Sequence, residues 1–268
     1  MRFSVISLFP EMFDAIENYG VVGRAIKRKM VQLIRINPRD YTKDKHRSVD
    51  DRPYGGGPGM LLMIEPLEKA MQSARDKELE PSEGLQQISS NNDESSSMVI
   101  YLSPQGRKLD QALVRELSLK QHLIIVAGRY EGIDQRLIDK QIDLEVSMGD
   151  FVLSGGELAA MSMIDAITRV KPEVLGHQES ANQDSFEDGL LDHPHYTRPE
   201  SYYGQDVPPV LLCGDHQAIA QWRMQQRLGQ TWLKRPDLLA KKQLSDHENG
   251  LLNKFKSEYK DHESQPDD

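Results

Sequence analysis

The sequence predicts an α/β protein with a mostly parallel sheet and helices on both of its faces, followed by a small all-helical domain. Over the first 171 residues, short apolar runs typical of buried strands alternate with amphipathic helical segments. Three of these strands run directly into glycine-containing turns. Beyond about residue 200 the pattern is helical and the composition polar, which indicates a separate helical domain.

The elements of the first domain, residues 1–171, follow in chain order. The strand MRFSVISLF precedes the helix PEMFDAIENYG, with Pro10 suited to the first turn and Gly20 to the end. The helix VVGRAIKRKM leads into the strand VQLIRINP, the Gly/Pro-rich loop DDRPYGGGPGM and a helix from Glu65 to Asp76. Next come the strand MVIYLS, a helix from Leu109, the strand HLIIVAG, a helix from Asp134 and the strand IDLEVS. The amphipathic helix GELAAMSMIDAITRV closes the domain.

Three further segments complete the predicted organisation. Residues 77–97, KELEPSEGLQQISSNNDESSS, are polar and low in complexity, which predicts a disordered surface insertion. Residues 172–200 lack periodicity and are rich in Pro, His, Asp and Gly, as expected of an interdomain linker. Residues 201–268 form the helical domain, with DHQAIAQWRMQQRLGQTW and LSDHENGLLNKFKSEYK as its helices.

Composition excludes several classes of protein. No apolar run approaches the roughly 20 residues of a membrane-spanning helix, and the N-terminus lacks a cleavable signal pattern, so we expect a cytoplasmic protein. The single cysteine, Cys213, excludes an intramolecular disulfide framework and a cysteine-rich zinc cluster. Its apolar surroundings, PPVLLCG, predict a buried, inert thiol.

The net charge of −9 conceals an uneven distribution of charged residues. Lys and Arg outnumber Asp and Glu by ten to four between Arg24 and Arg52, and by six to two between Asp215 and Lys242. Between Glu131 and Asp192 the ratio is four to fourteen. Basic surfaces on either side of an acidic middle would suit a nucleic-acid partner. Two ordinary solvated helical faces explain the charges equally well, so charge alone leaves both interpretations open.

The three glycine-containing turns, YLSPQG, AGRYEGID and SMGDFVLSGGE, indicate a ligand pocket. The carboxyl ends of parallel strands form the ligand crevice of such a sheet, and glycine allows close approach of the backbone. None of the turns is a GxGxxG or GxxxxGK[ST] motif, and no basic residue is spaced to neutralise phosphates. An uncharged, adenosine-like ligand is therefore favoured over a nucleoside triphosphate.

Longer motifs point to one family. SLFPEMF, DDRPYGGGPGM, YLSPQGRKLDQ, GRYEGID, GDFVLSGGE, GHQESANQDSFEDGLLDHPHYTRP and VPPVLLCGDH resemble the bacterial tRNA (guanine-N1)-methyltransferases, the TrmD family of the SPOUT superfamily. The resemblance runs from residue 1 to about 240 and is interrupted by the 77–97 segment. It implies transfer of a methyl group from S-adenosylmethionine to N1 of the tRNA guanosine on the 3′ side of the anticodon. It also implies a homodimer with the active site at the dimer interface, and a deep trefoil knot in the catalytic domain, a feature almost absent from proteins.

The resemblance also implies the residues of the S-adenosylmethionine pocket, which all lie in or beside the three glycine turns. They are Tyr101, Leu102, Ser103 and Pro104, then Gly128, Tyr130 and Glu131, and finally Ser147, Met148, Gly149, Asp150, Phe151, Val152, Leu153, Gly155 and Gly156. Phe151 stands where relatives have a tyrosine. Glu131 is a candidate partner for the cationic methionine end of S-adenosylmethionine. The simpler interpretation of Glu131 is a solvated carboxylate in a turn.

The proposed chemistry needs a base, because N1 of guanine carries a proton at neutral pH. The family pattern assigns that base to Asp184 and assigns to Arg169 the cation that stabilises charge developing toward O6. Without the resemblance, Asp184 would be a helix N-cap and Arg169 an ordinary cation at a helix C-terminus.

Substrate contacts are predicted at Asp192, His195, Arg198 and Arg223. A metal site at His193 and His195 is a poor interpretation, because no further histidine or cysteine stands at ligand spacing nearby. Whether a divalent ion assists catalysis is not readable from the sequence. Trp222 and Trp232 could stack on RNA bases, but we expect at least one of them to anchor the core.

Two other classes of protein remain as alternatives. A tRNA-binding module without catalysis could share the fold, but the presence of Asp184, Arg169 and all three glycine turns favours the enzyme. An α/β hydrolase or a dehydrogenase would need a nucleophile elbow or a dinucleotide fingerprint, and the sequence has neither.

Overall fold

A computed structural model of the chain describes residues 1–76, 97–175 and 184–263, with side chains described as far as residue 260. The chain divides into two units, Met1–Gln178 and Glu179–Asp268. The predicted insertion, residues 77–97, lies outside the described residues except for Ser97, which begins a strand. The predicted linker, residues 172–200, spans the division between the two units.

The first unit alternates strands and helices. Its strands are β1 (Arg2–Ile6), β2 (Gln32–Ile36), β3 (Asp50–Asp51), β4 (Leu61–Leu62), β5 (Ser97–Lys108), β6 (His122–Val126) and β7 (Leu144–Ser147). Its helices are α1 (Asp14–Glu17), α2 (Gly20–Lys27), α3 (Ile64–Asp76), α4 (Gln111–Ser118), α5 (Gln135–Gln141) and α6 (Glu157–Arg169), with 3-10 turns at Pro10–Phe13 and Pro38–Tyr41.

Five strands form one parallel sheet in the order β2-β1-β6-β5-β7. Successive side chains of a strand point to opposite faces, and β6 shows this directly. Leu123 and Ile125 join the apolar cluster under α2, α4 and α6, whereas Ile124 and Val126 join the cluster under α3 and α5. The prediction of a parallel α/β sheet with helices on both faces is confirmed.

Two predicted elements differ from the structure. The single helix expected over PEMFDAIENYG is a 3-10 turn followed by the short helix α1, and Gly20 (φ 68°) begins α2. The strand expected to end at Ser103 continues to Lys108 around a bulge, where Leu102 and Arg107 both pair with Val146. A Cβ at Gly106 would lie 2.4 Å from the backbone nitrogen of Val146, so this glycine serves strand packing and not the pocket.

The second unit contains the β-hairpin β8 (Ser201–Tyr202) and β9 (Gln205–Asp206), a 3-10 turn at Pro209–Leu211, and the helices α7 (His216–Lys234), α8 (Pro236–Leu239) and α9 (Asp246–Glu263). Its apolar cluster contains Leu228 together with Leu251 and Leu252. Asp215 caps α7 by accepting hydrogen bonds from the backbone of Gln217 and Ala218.

Part of the predicted linker packs on this helical unit. Leu190 is fully buried in the apolar cluster. The backbone N–H of Leu191 donates to Oγ1 of the buried Thr231 at 2.9 Å, and the Arg227 guanidinium pairs with Asp188 at 2.5 Å. Leu190 thus anchors this segment to the helical unit, which the polar composition of the segment did not predict.

The prediction for Cys213 is wrong. The thiol is exposed and donates to the carbonyl of Val210 at 3.0 Å. The run PPVLLCG forms a surface 3-10 turn because its two prolines interrupt any strand. No helix in the described parts of the chain is long and apolar enough to cross a membrane.

Candidate active site

A cavity opens beside the middle of β5 and at the carboxyl ends of β6 and β7, which are its neighbours in the sheet. Because β5 lies between the other two strands, its residues Tyr101–Pro104 meet the turns that follow β6 and β7. These turns supply most of the cavity lining, as the sequence predicted for the ligand crevice.

Fifteen of the sixteen predicted cofactor residues line this cavity. The exception is Asp150, which is exposed in the turn after β7 and lies outside the lining. Five further residues complete the lining, namely Arg129, Gly132, Val146, Ser154 and Ala159. The ligand-binding roles of these residues remain predictions.

The turn after β6 is built against Tyr101 of β5. A Cβ at Gly128 would lie 2.8 Å from Cε2 of Tyr101, so no larger residue fits there without displacing the ring. Burial raises the pKa of the Tyr101 phenol, and the nearby Glu145 carboxylate raises it further. Tyr101 is therefore a neutral wall of the cavity.

The turn after β7 is held by its own backbone and by Ser147. The Ser147 hydroxyl donates to the carbonyl of Gly149 and accepts from its N–H, both at 3.2 Å. Gly149 has φ of 144°, a conformation that side chains other than glycine rarely adopt. Phe151, Val152 and Leu153 follow with exposed side chains at the cavity.

Tyr130 and Glu131 connect the cavity to the Gly/Pro-rich loop. Tyr130 has a positive φ of 59°, and its hydroxyl donates to Asp50 at 3.3 Å. The N–H of Glu131 donates to the carbonyl of Met60, and the Glu131 side chain occupies the space that a Cβ at Gly59 would need. A second cavity, lined by Leu8, Phe9, Gly59 and Met60, shares Arg129, Tyr130, Glu131, Leu153 and Ser154 with the first.

The two predicted catalytic residues lie in different units. Arg169 is the last residue of α6 and is half-buried, outside the cavity lining. Asp184 belongs to the second unit, where it is half-buried just before the turn around Phe186. The simpler interpretation holds for Arg169, which does stand at a helix C-terminus. It is wrong for Asp184, because residues 185–190 form turns and bends and no helix that Asp184 could cap.

The predicted substrate-contacting residues lie in the second unit, where Arg198, Arg223 and His195 are exposed. Asp192 accepts a hydrogen bond from Nε2 of His195 at 2.9 Å. Burial raises the pKa of Asp192, but the bonds from His195 and from the N–H of His193 outweigh it and hold that pKa below its ordinary value. Asp192 and His195 therefore act as one structural pair.

Asp192, His193 and His195 place three potential metal-ligand atoms within 4.8 Å of one another. The third ligand atom is the Asp192 carboxylate, which the spacing of histidine and cysteine in the sequence does not reveal. The hydrogen bond between Asp192 and His195 accounts for the arrangement without an ion.

The two tryptophans have different surroundings. The Trp222 ring lies 6.2 Å from His193 and 6.3 Å from Tyr196, next to the predicted substrate contacts. Trp232 packs against the apolar cluster of the helical unit, with its ring 6.1 Å from that of Tyr259. The expectation that at least one tryptophan anchors the core is confirmed by Trp232.

Sequence reasoning missed Arg129 and Glu157. Arg129 lies between two predicted residues, Gly128 and Tyr130, and lines both cavities. Glu157 is fully buried at the start of α6, where an acidic residue is ordinary because it complements the helix dipole. The pairing of these two residues depends on tertiary contact, and no pattern in the sequence signals it.

A parallel sheet with helices on both faces and a cavity at one edge defines an α/β protein with a ligand crevice at the ends of its strands. A family model described as tRNA (Guanine-1)-methyltransferase TrmD matches residues 1–241. The chain belongs to this family.

Several relatives support the assignment over nearly the full length. A protein of Pseudoalteromonas translucida is 56% identical over 95% of this chain and 94% of its own length. Proteins of Pasteurella multocida and Escherichia coli O139:H28 are each 55% identical over 97% of this chain, and over 100% and 96% of their own lengths. All three are named tRNA (guanine-N(1)-)-methyltransferase.

Proposed function

We propose that this protein transfers a methyl group from S-adenosylmethionine to N1 of a tRNA guanine, the guanosine on the 3′ side of the anticodon. One observation carries the proposal. The residues that the family motif assigns to the cofactor come together in one cavity at the sheet edge, in a chain about 55% identical to enzymes of that name. The substrate is cytoplasmic, and we place the activity there.

The cavity suits an adenosine-bearing methyl donor. Its wall is mainly backbone and apolar side chains, which fit a nucleoside, and Gly128 leaves room where any Cβ would meet Tyr101. Glu131 is the acidic lining residue and is suited to a cationic ligand. When bound, S-adenosylmethionine would supply an electrophilic methyl group on a sulfonium, whose methyl–sulfur bond breaks as N1 is methylated and leaves the neutral thioether S-adenosylhomocysteine.

The protein's own side chains accept a proton and stabilise a developing negative charge. Asp184 accepts the N1 proton of guanine, so that the N1 lone pair can form the new bond to carbon. Arg169 stabilises the negative charge that develops toward O6. A divalent ion is compatible with this scheme.

A homodimer would allow one chain to supply the base and the other chain to supply the cofactor cavity. Asp184 lies in a unit separate from the cavity, so a second chain can contribute it. Large apolar side chains at Phe151, Val152, Leu153 and Leu158 are exposed beside the cavity, as expected of a surface covered by a partner. We propose that the two chains share each active site, and that the catalytic unit contains the trefoil knot of its superfamily.

Labelled-methyl transfer to unmodified tRNA transcripts tests the function. Two transcripts that differ only in the nucleotide 3′ of the anticodon, guanosine or adenosine, provide the matched pair. We expect label in the guanosine transcript alone, in the form of N1-methylguanine. Binding of both tRNA and donor without transfer of label would instead indicate a non-catalytic tRNA-binding module.

A further inference from the structure

An arginine–carboxylate pair lies at the wall of the cavity. Nη2 of Arg129 is 2.9 Å from Oε2 of Glu157, whose side chain is only 1% exposed. The Ser7 hydroxyl donates to the other carboxylate oxygen at 2.8 Å. A buried carboxylate is costly unless it is paired, and here one oxygen is hydrogen-bonded and the other is in an ion pair.

Arg129 itself is confined on several sides. Its Nη1 donates to the carbonyl of Ser154 at 3.2 Å, and its Cζ lies 4.6 Å from the centre of the Phe9 ring. Gly155 makes this position possible, because a Cβ there would lie 2.2 Å from Nε of Arg129. The positive charge is therefore held at the cavity wall and is not free to move into solvent.

This arrangement matters for the charge of the ligand. Among the described residues that line the cavity, Arg129 and Glu131 carry the charges. S-adenosylmethionine has a sulfonium cation, and its demethylated product, S-adenosylhomocysteine, has a neutral thioether in the same place. An uncompensated guanidinium would repel the cation and leave the neutral product unaffected. The carboxylate behind Arg129 cancels that repulsion.

We propose that Glu157 is a positioning residue and the buried counter-ion of Arg129, and that it raises the ratio of the cavity's affinity for the cationic donor to its affinity for the neutral product. The inference rests on the proposed function and deepens it. A carboxylate that served only the fold would affect both ligands equally, because they share the adenosine and the amino-acid end. The ratio of the two affinities therefore separates the electrostatic role from a structural one.

Calorimetry with S-adenosylmethionine and S-adenosylhomocysteine on the full chain provides the test. Glu157→Gln keeps the shape and the hydrogen-bonding capacity of the side chain and removes its charge. We expect the affinity ratio of donor to product to fall by about three- to tenfold, as one unit charge across a partly screened site would produce.

Two controls sharpen the measurement. Ser7→Ala removes a neutral hydrogen bond to the same carboxylate and should leave the ratio unchanged. Arg129→Gln combined with Glu157→Gln removes both charges and should restore the wild-type ratio, even if both affinities fall. A Glu157→Gln protein with the wild-type ratio, or a double variant that keeps the altered one, would overturn the proposal.

Arg129→Gln alone gives a second route if Glu157→Gln does not fold. It leaves the carboxylate uncompensated, so the ratio should shift toward the cationic donor, and an unchanged or opposite ratio contradicts the inference. If the wild-type protein binds neither ligand, the proposed function fails together with this inference. If both ligands bind normally but the substitutions leave the ratio of their affinities unchanged, only the counter-ion role is rejected.

Discussion

Two side chains bear the chemistry proposed for this chain, and conservative substitutions can separate that chemistry from binding. Asp184→Asn keeps the shape of the side chain and removes the proton acceptor. Because a general base contributes about 100- to 10,000-fold, we expect a loss of that size in single-turnover rate, with unchanged affinities for tRNA and donor. The rate of the Asn variant should rise more steeply with pH, since hydroxide must then remove the N1 proton. A near wild-type rate at neutral pH would place the base elsewhere.

Arg169→Ala should also slow the chemical step, with a smaller effect on binding, if the guanidinium stabilises charge that forms mainly in the transition state. Loss of such a donor typically costs roughly 2.7–4 kcal/mol, or about 100- to 1,000-fold in rate. Single-turnover kinetics at saturating tRNA and donor measure this cost apart from affinity. Arg169→Lys retains the charge and should recover part of the rate. A loss confined to affinity would assign Arg169 to binding.

Gly128 is a cavity residue where a single added carbon should weaken binding of the donor. The new Cβ of Gly128→Ala would meet the Tyr101 ring at 2.8 Å, and that ring is buried and cannot move away easily. We expect donor affinity to fall by at least about tenfold, or ~1.4 kcal/mol. Gly250→Ala is the matched control, since nothing lies within 4 Å of the Cβ that the alanine would add there. Equal donor affinities in the two variants would contradict this account of the pocket.

At the scale of elements, the contact between α7 and α9 depends on a glycine. A Cβ at Gly229 of α7 would lie 2.3 Å from Cδ2 of Phe255 on α9, so Gly229→Ala should force the helices apart. Overpacking of this kind costs about 1–3 kcal/mol. Gly250→Ala, on the exposed side of α9, should instead stabilise the helix by about 0.5–1 kcal/mol. Denaturant unfolding measures the free energy of unfolding, which should fall in Gly229→Ala and rise in Gly250→Ala. A change in the same direction in both variants would contradict this account of the contact.

At the scale of the whole molecule, Asp184 belongs to one unit and the cavity residues belong to the other, and the proposed sharing of sites between two chains leads to a prediction about assembly. A heterodimer of one Asp184→Ala chain and one Gly128→Ala chain should keep one site with an intact pocket and an intact base. Co-expression with two different tags, followed by purification on both, yields that heterodimer. Its methyl-transfer activity should exceed that of either variant homodimer. Activity no higher than that of the homodimers would mean that each chain builds its site alone.

The sequence by itself determined the sheet and the position of the cavity. The strands and helices were predictable because each buried strand is a short apolar run and each helix has an apolar stripe. The cavity was predictable because glycine turns follow β6 and β7, and parallel strands place such turns at one edge of the sheet. The third predicted turn, YLSPQG, is part of β5 instead. Fifteen of the sixteen residues assigned to the pocket by family resemblance do line it.

Only the tertiary structure decided what these residues touch. It divided one predicted helix into a 3-10 turn and the short helix α1, extended β5 around a bulge, and exposed Cys213. It also buried Leu190 of the linker and paired Arg129 with Glu157, residues 28 positions apart. The physical reason is the same in each case. Periodicity records which side of an element is buried, but hydrogen bonds, ion pairs and close packing depend on distances between elements that are remote in the chain.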